Sequence, residues 1–218
     1  MKAVVFDLDG TLLDTLEDLA NATNWALRQN GLPERTKDEV RQFVGNGIRH
    51  LIERAVPEGS SEEVLTKTFS DFKDYYVAHC QEKTRLYEGI PEMLQTLKEQ
   101  GYRLAIVSNK LQAGVDELYE RYFRNTVSVA VGERHGMRRK PAPDMVEAAL
   151  QSLGVTADEA VYVGDSDVDM QTARNSGLPC ISVLWGFRDR AFLEAHGATC
   201  FAENPSDVIT QLRLMIDD

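Results

Sequence analysis

Six short apolar, β-branched runs, separated by stretches of helical periodicity, constrain the fold of this sequence more than any other feature. The runs are Lys2 to Leu8, Arg103 to Val107, Val127 to Val131, Ala160 to Val163, Cys180 to Leu184 and, more weakly, Thr199 to Phe201. Runs this short and continuous read as parallel strands buried on both faces. Between them, Pro91 to Gln100 sets Met93, Leu94 and Leu97 on one face before Gly101. Leu111 to Tyr122, Pro143 to Leu153 and Asp167 to Ser176 are further helical patterns, the last two ending at Gly154 and Gly177, where helix C-termini favour glycine. Strand alternating with helix predicts an α/β fold, a doubly wound (Rossmann-like) parallel sheet with helices on both faces.

One stretch breaks the alternation. From Leu16 to Thr84 there is helical periodicity and no convincing strand; Ile48, Leu51, Ile52, Ala55 and Val56 mark one buried helical face, closed by Pro57, Gly59 and Ser60. An inserted α-helical cap domain over residues 15–84 is therefore expected, with residues 1–14 and 85–218 forming the core and the insertion free to hinge over the end of the sheet. At 218 residues the chain can bury such a core without metal or disulfide.

The net charge of −11 argues against a nucleic-acid partner and against adhesion to anionic membranes. Any anionic substrate then needs locally placed positive charge. Cys80, Cys180 and Cys200 are odd in number and lack CxxC spacing, which points to reduced thiols. The apolar run Ala3 to Phe6 is too short for a signal-peptide core or a membrane span, so a cytoplasmic location is expected.

The residues with chemistry gather at strand ends. Asp7-Leu8-Asp9-Gly10-Thr11 follows the first run, Ser108-Asn109-Lys110 the second, Lys140 lies in the loop after the third, and Gly164-Asp165-Ser166-Asp167-Val168-Asp169 follows the fourth. Ligands of open parallel sheets bind outside the carboxyl ends of the strands, so topology puts all four pieces on one edge. Clustered carboxylates with a hydroxyl and a lysine suit phosphoryl transfer, in which positioning and charge neutralisation carry most of the catalysis. A hard, oxygen-liganded cation such as Mg²⁺ would take Asp7 and Asp165 as ligands. One carboxylate can serve as nucleophile and a second, Asp9, as acid and base. Ser108 offers a donor to a phosphate oxygen and Lys140 a cation.

With DLDGT from Asp7, VSNK ending at Lys110, RKPAPD around Lys140 and GDSDVD from Gly164, the whole chain resembles a haloacid dehalogenase-like hydrolase of the phosphoglycolate phosphatase subgroup. The resemblance implies that Asp7 is the nucleophile and Asp9 the acid/base. It implies that Mg²⁺ is held by Asp7, the backbone carbonyl of Asp9, and Asp165, with Asp169 acting through metal-bound water or by orienting Lys140. Ser108, Lys140 and Asn109, the last through its backbone, would hold the phosphate. Asp9 separates the chain from the haloacid dehalogenases themselves, which lack the second carboxylate. Thr11 and the Asp14-Thr15-Leu16-Glu17-Asp18 hinge separate it from β-phosphoglucomutase-like chains, and the charged surroundings of Lys37, Lys67, Lys73 and Lys83 from phosphonatase-like ones.

The expected substrate is a small phosphorylated metabolite, phosphoglycolate above all; a pyrophosphate, nucleotide or sugar phosphate fits the same motifs, which leave the oligomeric state open. A non-catalytic phospho-accepting module of the receiver type shares the acidic edge but has no helical insertion after its first strand and no use for Asp9. Gly45-Asn46-Gly47 and Arg49 sit between helices of the insertion, where the resemblance places residues that choose the leaving group; the alternative is a plain turn with a solvated arginine. Asp14 and Thr15 read as a helix N-cap, Arg134 to Arg139 as a mostly solvated loop, and Trp25 and Trp185 as packing anchors.

Overall fold

The computed structural model describes residues 1–45 and 47–217, so the expectation for Asn46 lies outside the described residues. In chain order the elements begin with β1 (Ala3–Phe6), β2 (Leu13–Asp14), α1 (Leu16–Gln29), α2 (Lys37–Phe43), α3 (Ile48–Ala55), α4 (Glu62–His79) and β3 (Arg85–Leu86). They continue with α5 (Ile90–Glu99), β4 (Arg103–Leu111), α6 (Gln112–Leu118), β5 (Val129–Glu133), α7 (Asp144–Leu153), β6 (Ala160–Gly164) and α8 (Asp167–Asn175). The chain closes with β7 (Cys180–Val183), α9 (Arg190–Ala195), β8 (Phe201–Ala202) and α10 (Pro205–Asp217). Two compact units result, Met1–Leu12 with Leu86–Asp218, and Leu13–Arg85.

The first unit is built on a six-stranded sheet of order β5-β4-β1-β6-β7-β8, whose neighbouring strands all pair in parallel. All four residues of β1 and all five of β6 are buried, as strands covered on both faces must be. Winding runs outward from β1 in both directions, through β4 to β5 and through β6 to β8. The crevice beyond the end of β1 is therefore the topological switch point. In register, Phe6 faces Ile106 of β4 and Val163 of β6, so the residues that follow these three positions emerge side by side.

Some elements depart from the sequence expectation for identifiable reasons. The helix expected over Leu111 to Tyr122 is α-helical only to Leu118 and then widens into a π-helical turn, Tyr119–Phe123. The next buried residue after Leu118 is Phe123, five positions on, and an α-helical turn would bring Arg121 or Tyr122 inward instead. The third strand starts two residues later than expected because the Val127 amide bonds the Phe123 carbonyl at 2.8 Å and stays with that turn. Strand β4 runs on to Leu111 through a register shift after Val107. Helices α9 and α10 were not expected at all.

In the second unit α1 packs on α2 and α4, and α3 packs on both α2 and α4. Leu51, Ile52, Ala55 and Val56 are buried as their spacing predicts, while Ile48 is only half-buried. Thr15 occupies the N-cap of α1 but its side chain makes no capping bond. Asp18 is more than a first-turn acid: buried, it accepts the amides of Lys83 (3.0 Å) and Thr84 (2.8 Å) and the Thr84 hydroxyl (2.9 Å), joining the two ends of the unit. Trp25 stacks on Tyr75 with ring centroids 4.8 Å apart. Among the described residues no helix is long and apolar enough to cross a membrane.

Candidate active site

Asp7, Lys140, Asp165 and Asp169, which come from three separate segments, meet at the switch point and are all buried. Carboxylate oxygens of the three aspartates lie within 4.8 Å of one another. The Lys140 ammonium donates to Asp7 Oδ1 at 2.6 Å, to Asp169 Oδ1 at 2.8 Å and to the Tyr162 hydroxyl at 3.2 Å. Tyr162 in turn donates to Asp169 Oδ1 at 3.1 Å. Sequence reasoning missed Tyr162, although a lone hydroxyl in the otherwise apolar β6 was the available signal.

Each carboxylate is placed by its own device. Asp7 directly follows β1, and its amide continues the ladder to Val163 at 2.9 Å. Asp169 stands in the first turn of α8 within a capping box: its amide donates to Ser166 Oγ, and the Ser166 amide and hydroxyl donate back to Asp169 Oδ2 at 3.1 and 2.6 Å. Asp165 is gripped from two sides, by the Thr11 hydroxyl on Oδ1 at 3.2 Å and by the Phe187 amide on Oδ2 at 2.7 Å. The Trp185 indole donates to the Thr11 carbonyl at 2.9 Å, so it ties the two loops together.

Two glycines make this closeness feasible. Gly10 has φ of +93°, and a Cβ there would lie 2.5 Å from Asp165 Oδ2. At Gly186 a Cβ would stand 2.3 Å from Asp165 Cβ and 2.5 Å from the Gly10 carbonyl oxygen.

Lone pairs separate the aspartates by role. A carboxylate offers about four acceptor sites. Asp169 uses them on Lys140, Tyr162 and the two Ser166 donors, whereas Asp165 has taken two donors and Asp7 accepts from Lys140. Spare acceptor capacity thus lies on Asp7 and Asp165.

The charge balance is lopsided, since Lys140 is the only buried cation among the described residues and faces three buried carboxylates. Burial, with Asp169 beside it, pushes the Asp165 carboxyl up to about 7. Burial and the neighbouring Asp169 also hold Asp7 well above the usual carboxylate range, against the opposing pull of Lys140. Burial works to lower the Lys140 ammonium, but Asp169 and Asp7 outweigh it and hold the group well above its ordinary value. Two surplus negative charges on oxygen ligands fit a hard divalent cation.

The remaining sequence-predicted residues fall around this centre. Ser108 is buried on β4, and its Oγ accepts the Lys110 amide at 3.1 Å. The Asn109 side chain is spent on Lys140, accepting its amide at 2.8 Å and donating to its carbonyl at 3.1 Å, so it orients that lysine's backbone. Asp9 turns its carboxylate onto Lys110, at 3.1 and 3.3 Å, and stands outside the three-aspartate cluster. Arg49 is exposed in the helical unit and pairs with Glu62 at 2.6 Å and Glu53 at 3.1 Å. In the loop before Lys140, Arg138 and Arg139 pair with Asp144 and Glu133.

This fold and edge define a doubly wound α/β protein whose clustered functional groups are carboxylates, and comparison with known proteins gives the family. The model of the haloacid dehalogenase-like hydrolases matches residues 4–183, and the chain belongs to that family. It is 33% identical over 221 residues to a phosphoglycolate phosphatase of Pseudomonas putida, covering 99% of this chain and 78% of that protein. An N-acetylmuramic acid 6-phosphate phosphatase of Pseudomonas aeruginosa is 30% identical over 214 residues, covering 97% of this chain and 95% of that protein. Among solved structures, a protein of Lactobacillus delbrueckii subsp. bulgaricus, provisionally described as a phosphoglycolate phosphatase, superposes with a TM-score of 0.91 at 38% identity, over 95% of this chain and 96% of that one.

Proposed function

We propose that this chain is a Mg²⁺-dependent, cytoplasmic phosphatase that hydrolyses a small phosphomonoester, phosphoglycolate, through an aspartyl phosphate on Asp7. The observation that carries the reading is the buried Asp7–Lys140–Asp169 array beside Asp165, with Asp9 held apart from it. One carboxylate to attack and another to move protons are what a two-step phosphoryl transfer uses. The relatives' names support the choice of ester, and the N-acetylmuramic acid 6-phosphate phosphatase is a similar chain named for another phosphomonoester.

In this mechanism an Asp7 oxygen attacks phosphorus, and the bond from phosphorus to the leaving-group oxygen breaks. Asp9 gives its proton to the departing alkoxide. As a carboxylate, Asp9 then takes a proton from water, which attacks phosphorus; the bond to Asp7 breaks and inorganic phosphate leaves. Lys140, fixed by Asp169 and Tyr162, holds the nucleophile in place and opposes its charge. The Ser108 hydroxyl donates to a phosphate oxygen. Asp7, Asp165 and the main-chain carbonyl of Asp9 would hold Mg²⁺, which when bound neutralises charge on the transferring phosphoryl group.

Release of inorganic phosphate from a panel of phosphoglycolate, N-acetylmuramic acid 6-phosphate, a sugar phosphate, a nucleoside monophosphate and pyrophosphate, with Mg²⁺ saturating, tests the reading. Phosphoglycolate should give the highest kcat/KM, and excess chelator should silence every reaction. Higher kcat/KM on another compound overturns the substrate, and full turnover after exhaustive metal removal overturns the metal.

A further inference from the structure

Lys110 has no part in the mechanism above, yet its environment is a constructed one. Its side chain is only 12% exposed, and the ammonium sits between the two oxygens of Asp9, at 3.1 and 3.3 Å. Ordering a lysine in this way costs rotamer entropy, which an exposed pair would not return. The lysine is also presented by a rigid support. Strand β4 shifts register between Val107 and Leu111, and the Lys110 amide bonds Ser108 Oγ at 3.1 Å. Gln112, two residues on, accepts the Gly132 amide at 2.7 Å and donates to the Ala130 carbonyl at 3.2 Å, locking the turn to β5.

A second observation points the same way. Gly114 lies inside α6, where glycine is less favourable than alanine. Its φ needs no glycine, but a Cβ there would already touch the Lys110 stem, 3.4 Å from Cδ and 3.5 Å from Cγ. The bare backbone of α6 is the surface along which Lys110 reaches Asp9.

We propose that Lys110 is the positioning residue for Asp9: its ammonium, carried over Gly114, fixes where the Asp9 carboxylate stands for the transfer of protons to the leaving group and from water. The inference rests on the assignment of Asp9 as acid and base. Lys110 then acts on turnover only through Asp9, and its effect grows with the need of the leaving group for a proton.

The test is a double-mutant cycle of Asp9→Asn, Lys110→Met and the pair, on an alkyl phosphate and on a nitro-substituted aryl phosphate whose phenolate leaves unaided. Lys110→Met should lower kcat on the alkyl ester by roughly tenfold to a hundredfold, the scale of a displaced catalytic group. The loss on the aryl ester and the change in KM should both be much smaller. Added to Asp9→Asn, the lysine substitution should cost nothing further. Multiplying effects in the double variant, or equal losses on both esters, would overturn the inference. Unchanged turnover in Asp9→Asn would instead strike the acid/base assignment, a separate result. Should Lys110→Met not fold, Lys110→Gln is carried through the same cycle.

Discussion

Asp165 and Asp169 carry the same functional group 4 positions apart, and their hydrogen bonds make one a candidate cation ligand and the other an anchor for Lys140. Asp7 shares the surplus negative charge. Because burial and Asp169 raise its carboxyl well above the usual range, ionising it costs the folded state free energy. Asp7→Asn removes that charge while keeping the shape. In chelator near pH 7.5 the variant should melt at a higher temperature than the parent, yet form no acid-stable phosphoenzyme and hydrolyse phosphoglycolate only at background rate. A calorimetric scan and a radiolabelled-phosphate trap measure the two. Retained turnover would remove Asp7 as nucleophile, and a lower melting temperature would mean that its bond to Lys140 outweighs the repulsion. Three of the motifs made Asp7, Asp165, Asp169 and Lys140 legible from the sequence because each follows a readable strand. Tyr162, the Phe187 amide and the use of the Asn109 side chain were not legible, since hydrogen-bond partners separated by tens of residues leave no local periodicity.

At the scale of elements, the segment after β7 shows how a loop without a recognisable motif completes the site. Trp185 bonds the Thr11 carbonyl, the Phe187 amide bonds Asp165, and Gly186 between them lies against both Asp165 and Gly10. Gly186→Ala would put a methyl group 2.3 Å from Asp165 Cβ, where neither backbone nor a short side chain can yield easily. The expected result is a loss of about 1–3 kcal/mol in urea unfolding and weaker Mg²⁺ binding by titration calorimetry, with turnover falling in step. Undiminished metal affinity would show that the loop does not set the position of Asp165. The strands around this loop were readable because β1, β4, β6 and β7 are apolar runs too short for helices. The π-helical turn at Tyr119–Phe123 was not, because a spacing of five between Leu118 and Phe123 imitates the end of a helix. Helix α10 escaped notice, although Val208 and Leu212 form an i, i+4 buried pair on it.

For the molecule as a whole, the site is a store of electrostatic repulsion within the sheet unit, and pH and metal should both release it. With no metal bound, Asp165 titrates in the folded protein at about 7, against 3.8 for an ordinary aspartate. Between those values the folded state holds a proton that the unfolded state has given up, so stability must fall as pH rises through that window. The contribution is complete below about 4 and gone once pH passes about 7. Glu39, Asp144 and Glu159, half-buried carboxylates lowered by hydrogen bonds, work in the opposite sense, but only below the ordinary carboxylate range. Melting temperatures in chelator should therefore decline from pH 5 to pH 7.5. Mg²⁺ binds the deprotonated site and should raise the melting temperature by an increment that grows over the same interval. Asp165→Asn supplies the control: it should reduce the pH slope in chelator, the remainder belonging to Asp7, and abolish the Mg²⁺ increment. A slope undiminished in Asp165→Asn would place the titrating group elsewhere, and a Mg²⁺ increment that persists would place the cation elsewhere.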